Sequence, residues 1–350
     1  MIRAGIRRLG RRTLSFVRRW GPRALILVYH RVAATAVDPW KQSVTPEHFA
    51  EHLAILRKHW RPVGLVQLVE AHERGQIPDR SVVITFDDGY ASHRHVVQPL
   101  LEQFEVPATF FVSTGQLASQ REYWWDELEG LLTEPGRLPA SLSIDVSGKH
   151  FDFELGEREY TDEQCRRDQE LWAWEGAPGT RLALYYALWE QLRSARAAEQ
   201  SRVMDTLRTW AGSQAFCRPA HRPLSVTELT DLSSCGLVEI GAHTVTHPLL
   251  AQLPLEQQQQ EVVGNRQELE QILGRPVESF AYPYGISTAE LVESLPGMGF
   301  RCACATAGGT VRRRSNRFLF PRETVSDCDG EEFARQMNAW QASGSKGNVA

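Results

Sequence analysis

Val82-Val83-Ile84-Thr85-Phe86-Asp87-Asp88-Gly89-Tyr90 is the stretch on which a reading of the fold turns. Apolar and β-branched residues run straight into two adjacent carboxylates and a glycine, the pattern of a fully buried strand that ends in a polar turn. In a barrel or open sheet of parallel strands, functional groups collect at the carboxyl ends, because the loops that follow are free to vary. Neighbouring aspartates repel each other, and a bound cation or a shared proton relieves the repulsion. Taken alone, the stretch also fits a plain turn whose Asp-Gly pair only supplies loop geometry.

Working outward, Ala24-Leu25-Ile26-Leu27-Val28-Tyr29-His30-Arg31-Val32 reads as a second strand running into a polar residue, with His30 in the place of the aspartate pair. Residues 46–59 and 65–74 read as helices, the first opened by Thr45 as N-cap with Pro46 in its first turn. A helix over 93–104 and a strand over 108–112 follow the aspartates. Strand and helix alternate, which predicts a parallel α/β sheet or barrel. The alternation breaks over about 116–224, which reads as a mainly helical insertion or cap with a hairpin at 141–155 and helices around 162–175, 181–195 and 198–210. Six of the ten tryptophans lie there. They suit a small core of the cap's own, in preference to platforms for stacking sugars.

Regular order resumes with a helix from 225 to 234 and a strand that enters His243-Thr244-Val245-Thr246-His247. A helix over 255–273 ends at Gly274, and Phe280-Ala281-Tyr282-Pro283-Tyr284-Gly285 is the next strand and turn. A helix at 288–295, a strand at 300–305, the segment Phe318–Glu323 and a helix at 330–341 complete a domain over 24–341, with 342–350 a frayed tail.

The composition is that of a soluble globular chain: 42% of residues are hydrophobic, and no apolar run approaches the roughly 18 residues of a membrane span. A formal charge of −4 conceals an asymmetry, since residues 1–23 carry eight arginines and no acid and the remainder holds 31 basic against 43 acidic groups. An acidic body argues against nucleic-acid binding. Arginines at 7, 8, 11, 12, 18 and 19 interrupt the apolar core that a secretory signal needs, so export is not expected. Ile2, Ile6, Leu9, Phe16 and Trp20 share one helical face, so residues 2–20 suit an anionic membrane surface, and the expected location is cytoplasmic, peripheral on the inner membrane face. A short basic helix packed on its own domain or an unstructured leader fits the same residues. The six cysteines show no framework of spacings and read as reduced thiols; Cys302 and Cys304 should share a strand face, closer together than common zinc-binding pairs.

His243 and His247, four apart after a strand, and an aspartate at another strand end make a ligand set for Zn²⁺ or a similar divalent ion. A lone histidine pair at this spacing is commonly incidental, but parallel strands bring such ends together. One carboxylate and two imidazoles leave coordination positions open, which marks a catalytic set rather than a closed structural one.

Thr85-Phe86-Asp87-Asp88-Gly89, His243-Thr244-Val245-Thr246-His247 and Phe280-Ala281-Tyr282-Pro283-Tyr284-Gly285 resemble, in order, the first three motifs of the polysaccharide deacetylases, the NodB-homology family of carbohydrate esterases. The resemblance covers about 24–115 and 225–325. It implies a distorted (β/α) barrel, here with a large helical insertion. It also implies metal-dependent removal of an acyl group, usually acetyl, from an amino sugar of a polysaccharide or lipid-linked glycan precursor, with Zn²⁺ the first expectation for the metal. Carried over by motif, Asp87 is the general base and Asp88, His243 and His247 the metal ligands, while the Tyr284 backbone N–H, after Pro283, faces the oxyanion. Two departures stand out. The family's arginine ahead of the third-motif proline is absent, and Arg322 on a later strand end is the candidate replacement, though a simple buried ion pair would look the same. No histidine follows His247, so His30 is expected to act as the acid, as in branches with the last strand permuted to the front. The same site could serve an amidase or deformylase acting on another amide. An inactive glycan-binding protein would need a lost base or ligand, and none is lost. A two-carboxylate glycosidase fits poorly, because adjacent aspartates rarely sit about 5 Å or more apart across a bond.

Overall fold

Strand β1 (Ala24–Tyr29) and strand β2 (Ser81–Phe86) are buried along their whole length, so neither face can be polar and both must be covered by other elements. They belong to a parallel sheet with β3 (Ala108–Val112), β4 (Val238–Ala242), β5 (Ser279–Ala281), β6 (Cys302–Cys304) and β7 (Glu323–Thr324). The spatial order is β7-β1-β2-β3-β4-β5-β6. Leu27 and Val28 of β1 face Glu323 and Thr324 of β7, while Phe320, just ahead of β7, pairs with Cys304 of β6. One short segment therefore bonds to both edges and curls the sheet into a distorted barrel. The computed structural model describes residues 23–35, 37–117, 119, 121–213 and 217–343. The expected membrane-binding leader, residues 2–20, and almost all of the expected frayed tail lie outside them.

Alternate strand residues face opposite ways. On the outside, Leu25, Leu27, Ile84, Phe86 and Phe110 meet Phe49, Leu53 and Leu56 of the helix Pro46–His59, whose first turn is capped by the Thr45 hydroxyl accepting from the His48 N–H. Burying each such side chain contributes roughly 1.5–3 kcal/mol. On the inside, Ile26, Val83, Phe111, Ala281, Cys302 and Cys304 pack on Leu65, Leu68 and Val69 of the helix Leu65–Glu73, which plugs the barrel. The two cysteines share a face, as their alternation predicts, and are free thiols. Glu239 points into the barrel and accepts from the Leu65 and Val66 N–H groups at 3.0 and 3.3 Å, so its carboxylate answers the open amides of the plug helix. Gly64 leaves room for it, because a Cβ there would lie 2.4 Å from Glu239 Oε1 and displace the carboxylate.

One expected helix is not regular. Residues 93–104 begin as a π-helical turn, His93–Val97, before the α-helix Gln98–Phe104. Pro99 has no N–H and its ring crowds the carbonyl four residues back, so the preceding turn widens. The wide turn directs His93 Nε2 to donate to the His30 carbonyl at 2.6 Å, tying down the end of β1.

Between β3 and the helix Val226–Ser233 the chain builds a second core of its own. The helices Trp124–Thr133, Arg181–Leu192 and Ala197–Ala211 enclose Leu128, Leu132, Leu188, Val203 and Met204 together with Trp124 and Trp189. The hairpin Ser141–Val146/Lys149–Glu154 adds Leu142, Ile144 and Val146 from its inner face. The helix expected over 162–175 stops at Gln169, and a 3₁₀ turn, Ala173–Glu175, follows. There the Ala173 N–H leaves the helical ladder and donates to the Pro39 carbonyl at 2.8 Å, which clasps the cap to the loop after β1.

Candidate active site

The carboxyl ends of β1, β2, β4 and β5 and the segment before β7 converge on one buried group of charged side chains. Asp87 receives a two-pronged hydrogen bond from Arg322, Nη1 to Oδ1 at 2.7 Å and Nη2 to Oδ2 at 2.6 Å. Arg322 is fully buried; its remaining donors meet Thr85 Oγ1 at 3.1 Å and the Ala305 carbonyl at 3.1 Å, so its plane is fixed on all sides. Burial by itself pushes the Asp87 carboxyl up, and the Arg322 guanidinium, helped by His243, more than reverses this, leaving a carboxylate below its ordinary range.

Asp88 points elsewhere. Its Oδ1 lies 3.4 Å from His243 Nε2 and 3.4 Å from His247 Nε2. One ligand atom from each of the three residues falls within 4.8 Å of the others, and all three residues are buried. His243 Nδ1 donates to the Ala281 carbonyl at 2.8 Å, which leaves the Nε2 lone pair directed at the Asp88 side. The backbone beneath is held by Asn265, whose Oδ1 accepts from the His243 N–H while its amide donates to the Val112 carbonyl and Thr114 Oγ1. Burial raises the Asp88 carboxyl, but His243 and His247 outweigh it and hold it well below the ordinary range. Burial also lowers both imidazoles. Asp87 and Asp88 reverse that at His243 but not at His247, which falls to about 4. A buried carboxylate facing two imidazole lone pairs is a donor set that fits a divalent cation, and Asp88, His243 and His247 could hold one.

Of the eight non-glycine residues with positive φ among the described residues, four belong to this site: Asp88 (74°), Thr244 (68°), His247 (54°) and Tyr284 (57°). Such backbone costs of order 1–3 kcal/mol per residue and persists where the surroundings over-determine it. Pro283 is buried and opens the turn that carries Tyr284, whose ring meets that of His247 at 4.8 Å and whose buried hydroxyl has no partner among the described residues. His30 ends β1, half-buried. Burial lowers its imidazole, while Asp88 and Asp87 pull the other way, so both carboxylates act on it. Asp87, Asp88, His243, His247, Pro283, Tyr284 and Arg322 thus share one site, and His30 directly follows β1, whose end lies beside that of β2.

Several neighbours were not singled out. Tyr123 donates to the Asp88 carbonyl at 2.6 Å, Trp125 lies 4.8 Å from the His247 ring, and Trp125 Nε1 donates to the Tyr90 hydroxyl at 2.9 Å. The run Tyr123-Trp124-Trp125 was the available signal, but it read as cap core, and only Trp124 goes there fully. Tyr90 in turn donates to Asp126, which forms a second buried group with Glu129 and His221. Arg31 Nη1 lies 2.5 Å from Asp126 Oδ1, and Arg218 Nη1 lies 3.0 Å from Glu129 Oε1, so guanidinium groups already supply the positive charge there.

With this geometry in place, comparison with known proteins gives a consistent result. Residues 74–135 and 207–303 match the family model for polysaccharide deacetylase. Proteins similar to this chain include polysaccharide deacetylases. The poly-beta-1,6-N-acetyl-D-glucosamine N-deacetylase of Escherichia coli O157:H7 is 35% identical over 103 residues, 29% of this chain and 15% of that protein. The enzyme of the same name from Staphylococcus epidermidis is 31% identical over 111 residues, 27% of this chain and 38% of that one. The match therefore spans well under half the length of these relatives. Among solved structures, the Streptococcus pyogenes deacetylase PplD in complex with acetate aligns at a TM-score of 0.56 and 16% identity, over 91% of this chain and 99% of that one. IcaB from Ammonifex degensii aligns at 0.54 and 18%, over 92% and 99%. Both support the barrel fold. Asp87, Asp88, His243, His247 and Tyr284 fall inside the region that matches the polysaccharide deacetylase family, whereas His30 and Arg322 lie outside it and rest on geometry.

Proposed function

We propose that this chain is a metal-dependent hydrolase that removes an N-acetyl group from an amino sugar of a polysaccharide or a lipid-linked glycan precursor. The observation that carries the reading is the division of labour between adjacent carboxylates: Arg322 holds Asp87 away from the group that Asp88 forms with His243 and His247. A divalent cation, Zn²⁺ by the nature of the donors, would supply Lewis-acid polarisation of the amide carbonyl and of the attacking water. Asp87, kept ionised by Arg322, accepts the proton that the water loses as its oxygen bonds to the carbonyl carbon. The Tyr284 N–H, in the first turn after Pro283 where no helical carbonyl can engage it, donates to the carbonyl oxygen as that oxygen gains charge. His30 gives a proton to the sugar nitrogen as the C–N bond breaks, so that an amine rather than an amide anion departs with acetate as co-product. The basic amphipathic stripe over residues 2–20 supports a place on the cytoplasmic membrane face, next to lipid-linked precursors.

The test is mass spectrometry of N-acetylated glycans incubated with the purified metal-loaded protein. Loss of acetyl mass with equimolar acetate release is expected. Untouched glycans alongside formate release from N-formyl amides would move the chain to another amidase class.

A further inference from the structure

The loop after β1 and the loop after β7 lie at the edge of the open barrel face that carries His30 and Arg322. Together with the cap segment Gln169–Trp172 they enclose a cavity of about 440 Å³, within the size range of small-molecule sites. We infer that this cavity and the tryptophans beside it form a second carbohydrate subsite, which holds units of the same glycan beyond the one being deacetylated. The inference rests on the function proposed above and extends it from a sugar to a chain of sugars.

Three observations carry it. First, Trp172 and Trp174 stack on each other at 4.9 Å with their planes 14° apart, and they remain 36% and 50% exposed. Most of the cap's other large apolar side chains are buried in its own core, so this pair stands out as aromatic surface left in water beside a polar cavity. Flat indole faces ringed by hydrogen-bonding groups suit pyranose rings, whose C–H faces are apolar and whose edges are hydroxyls. Second, Ser43 lines the cavity and is only 6% exposed, yet its hydroxyl has no hydrogen-bond partner among the described residues. A buried hydroxyl without a partner is costly, and a sugar hydroxyl would satisfy it. Third, packed rings of the cap connect the exposed pair to the active site. Trp174 meets Trp40 at 5.9 Å, Trp40 meets Trp189 at 4.2 Å, Trp189 meets Tyr284 at 6.0 Å, and Tyr284 meets His247 at 4.8 Å. The Pro39–Ala173 backbone bond holds the exposed pair to this path.

Polar walls argue against a lipid chain as the occupant: Asp38, Lys41, Gln169 and Asp327 all line the cavity. The experiment compares the full chain with Trp172→Ala/Trp174→Ala, both metal-loaded, on an N-acetylglucosamine monomer and a pentamer. The double variant should raise KM for the pentamer by about tenfold and leave kcat, metal content and the monomer's kinetics unchanged, an effect of the size expected for lost aromatic contacts. Titration of the wild type with the pentamer should perturb tryptophan fluorescence, and the double variant should lose that signal. Equal kinetics on both substrates and an unchanged titration would overturn the subsite while leaving deacetylation standing. Pentamer binding that depends on Trp172 without any acetate release would overturn the proposed function and retain the subsite. Binding of a protein partner at this face, with no response to any saccharide, would overturn the inference.

Discussion

Asp88, His243 and His247 at the open end of the barrel, and Asp126, Glu129 and His221 beneath the cap, are built of the same kinds of side chain, equally buried and equally close-set. They differ in what stands beside them. Arg31 and Arg218 reach into the second group and are fixed there by Asp126, Glu122 and Glu129. No arginine or lysine pairs with Asp88 among the described residues; the nearest, Arg322, is spent on Asp87. A buried carboxylate must be paired; the second group obtains its positive charge from arginines of the chain, whereas the first faces only imidazoles and would take a cation under the function proposed above. On that reading the first group serves chemistry and the second ties the cap to the barrel.

Removing a ligand should break the first group completely. His243→Ala is expected to lose the bound divalent ion and all measurable turnover, and metal analysis alongside an acetate assay checks both; full metal content in the variant would refute the assignment. Asp87→Asn separates the two aspartates. It should retain the metal and lose about 10²–10⁴ in turnover, the usual share of a general base. Metal loss would show that the two roles are reversed.

His30→Ala should slow the amide by about 10², since the departing nitrogen loses its proton source, and slow an activated ester only slightly, because that leaving group needs none. Equal losses on both substrates, with a lower melting temperature, would make His30 a structural residue. Arg31→Met tests the second group. Leaving Asp126 buried without its guanidinium should cost about 3–5 kcal/mol of stability with metal content unaltered, and Arg31→Met/Asp126→Leu should recover most of it. Denaturant melts would show the pattern, and a change in metal stoichiometry would erase the distinction between the groups.

Much of this comparison was legible in advance, and its limits have physical causes. The strands that carry Asp87, Asp88 and His30 are nearly unbroken runs of apolar and β-branched residues, and the strand before the histidine pair is broken by Glu239, because both faces of a parallel barrel strand are covered, and such runs announce where they end. Pairing across the fold leaves no such local trace. Arg322 and Asp87 are 235 positions apart, and Arg31 and His221 are 190 apart, so nothing near either residue in sequence reports the other. The π turn at His93–Val97 and the break after Gln169 also escaped the helical periodicity: the first follows from the single local departure at Pro99, and after the second the chain turns to a distant partner, the Pro39 carbonyl.

The smallest effect is expected where charge is kept and only shape changes. In Arg322→Lys a compact ammonium replaces a planar fork that now serves both Asp87 oxygens, Thr85 and the Ala305 carbonyl at once. Lysine can neutralise Asp87, so the carboxylate stays ionised and the metal group is untouched, but it cannot fix the plane of the carboxylate. A base free to rotate spends less time with a lone pair on the attacking water, and a loss of about tenfold in kcat with unchanged KM and metal content is the expected cost of that misalignment. Arg322→Met should do much worse on both stability and turnover, because it leaves a buried carboxylate with no partner. If the lysine variant fell as far as the methionine one, orientation and charge would be inseparable at Asp87. If it were fully active, charge alone would suffice, and the two-pronged geometry that distinguishes Asp87 from Asp88 would be a packing feature without a catalytic role.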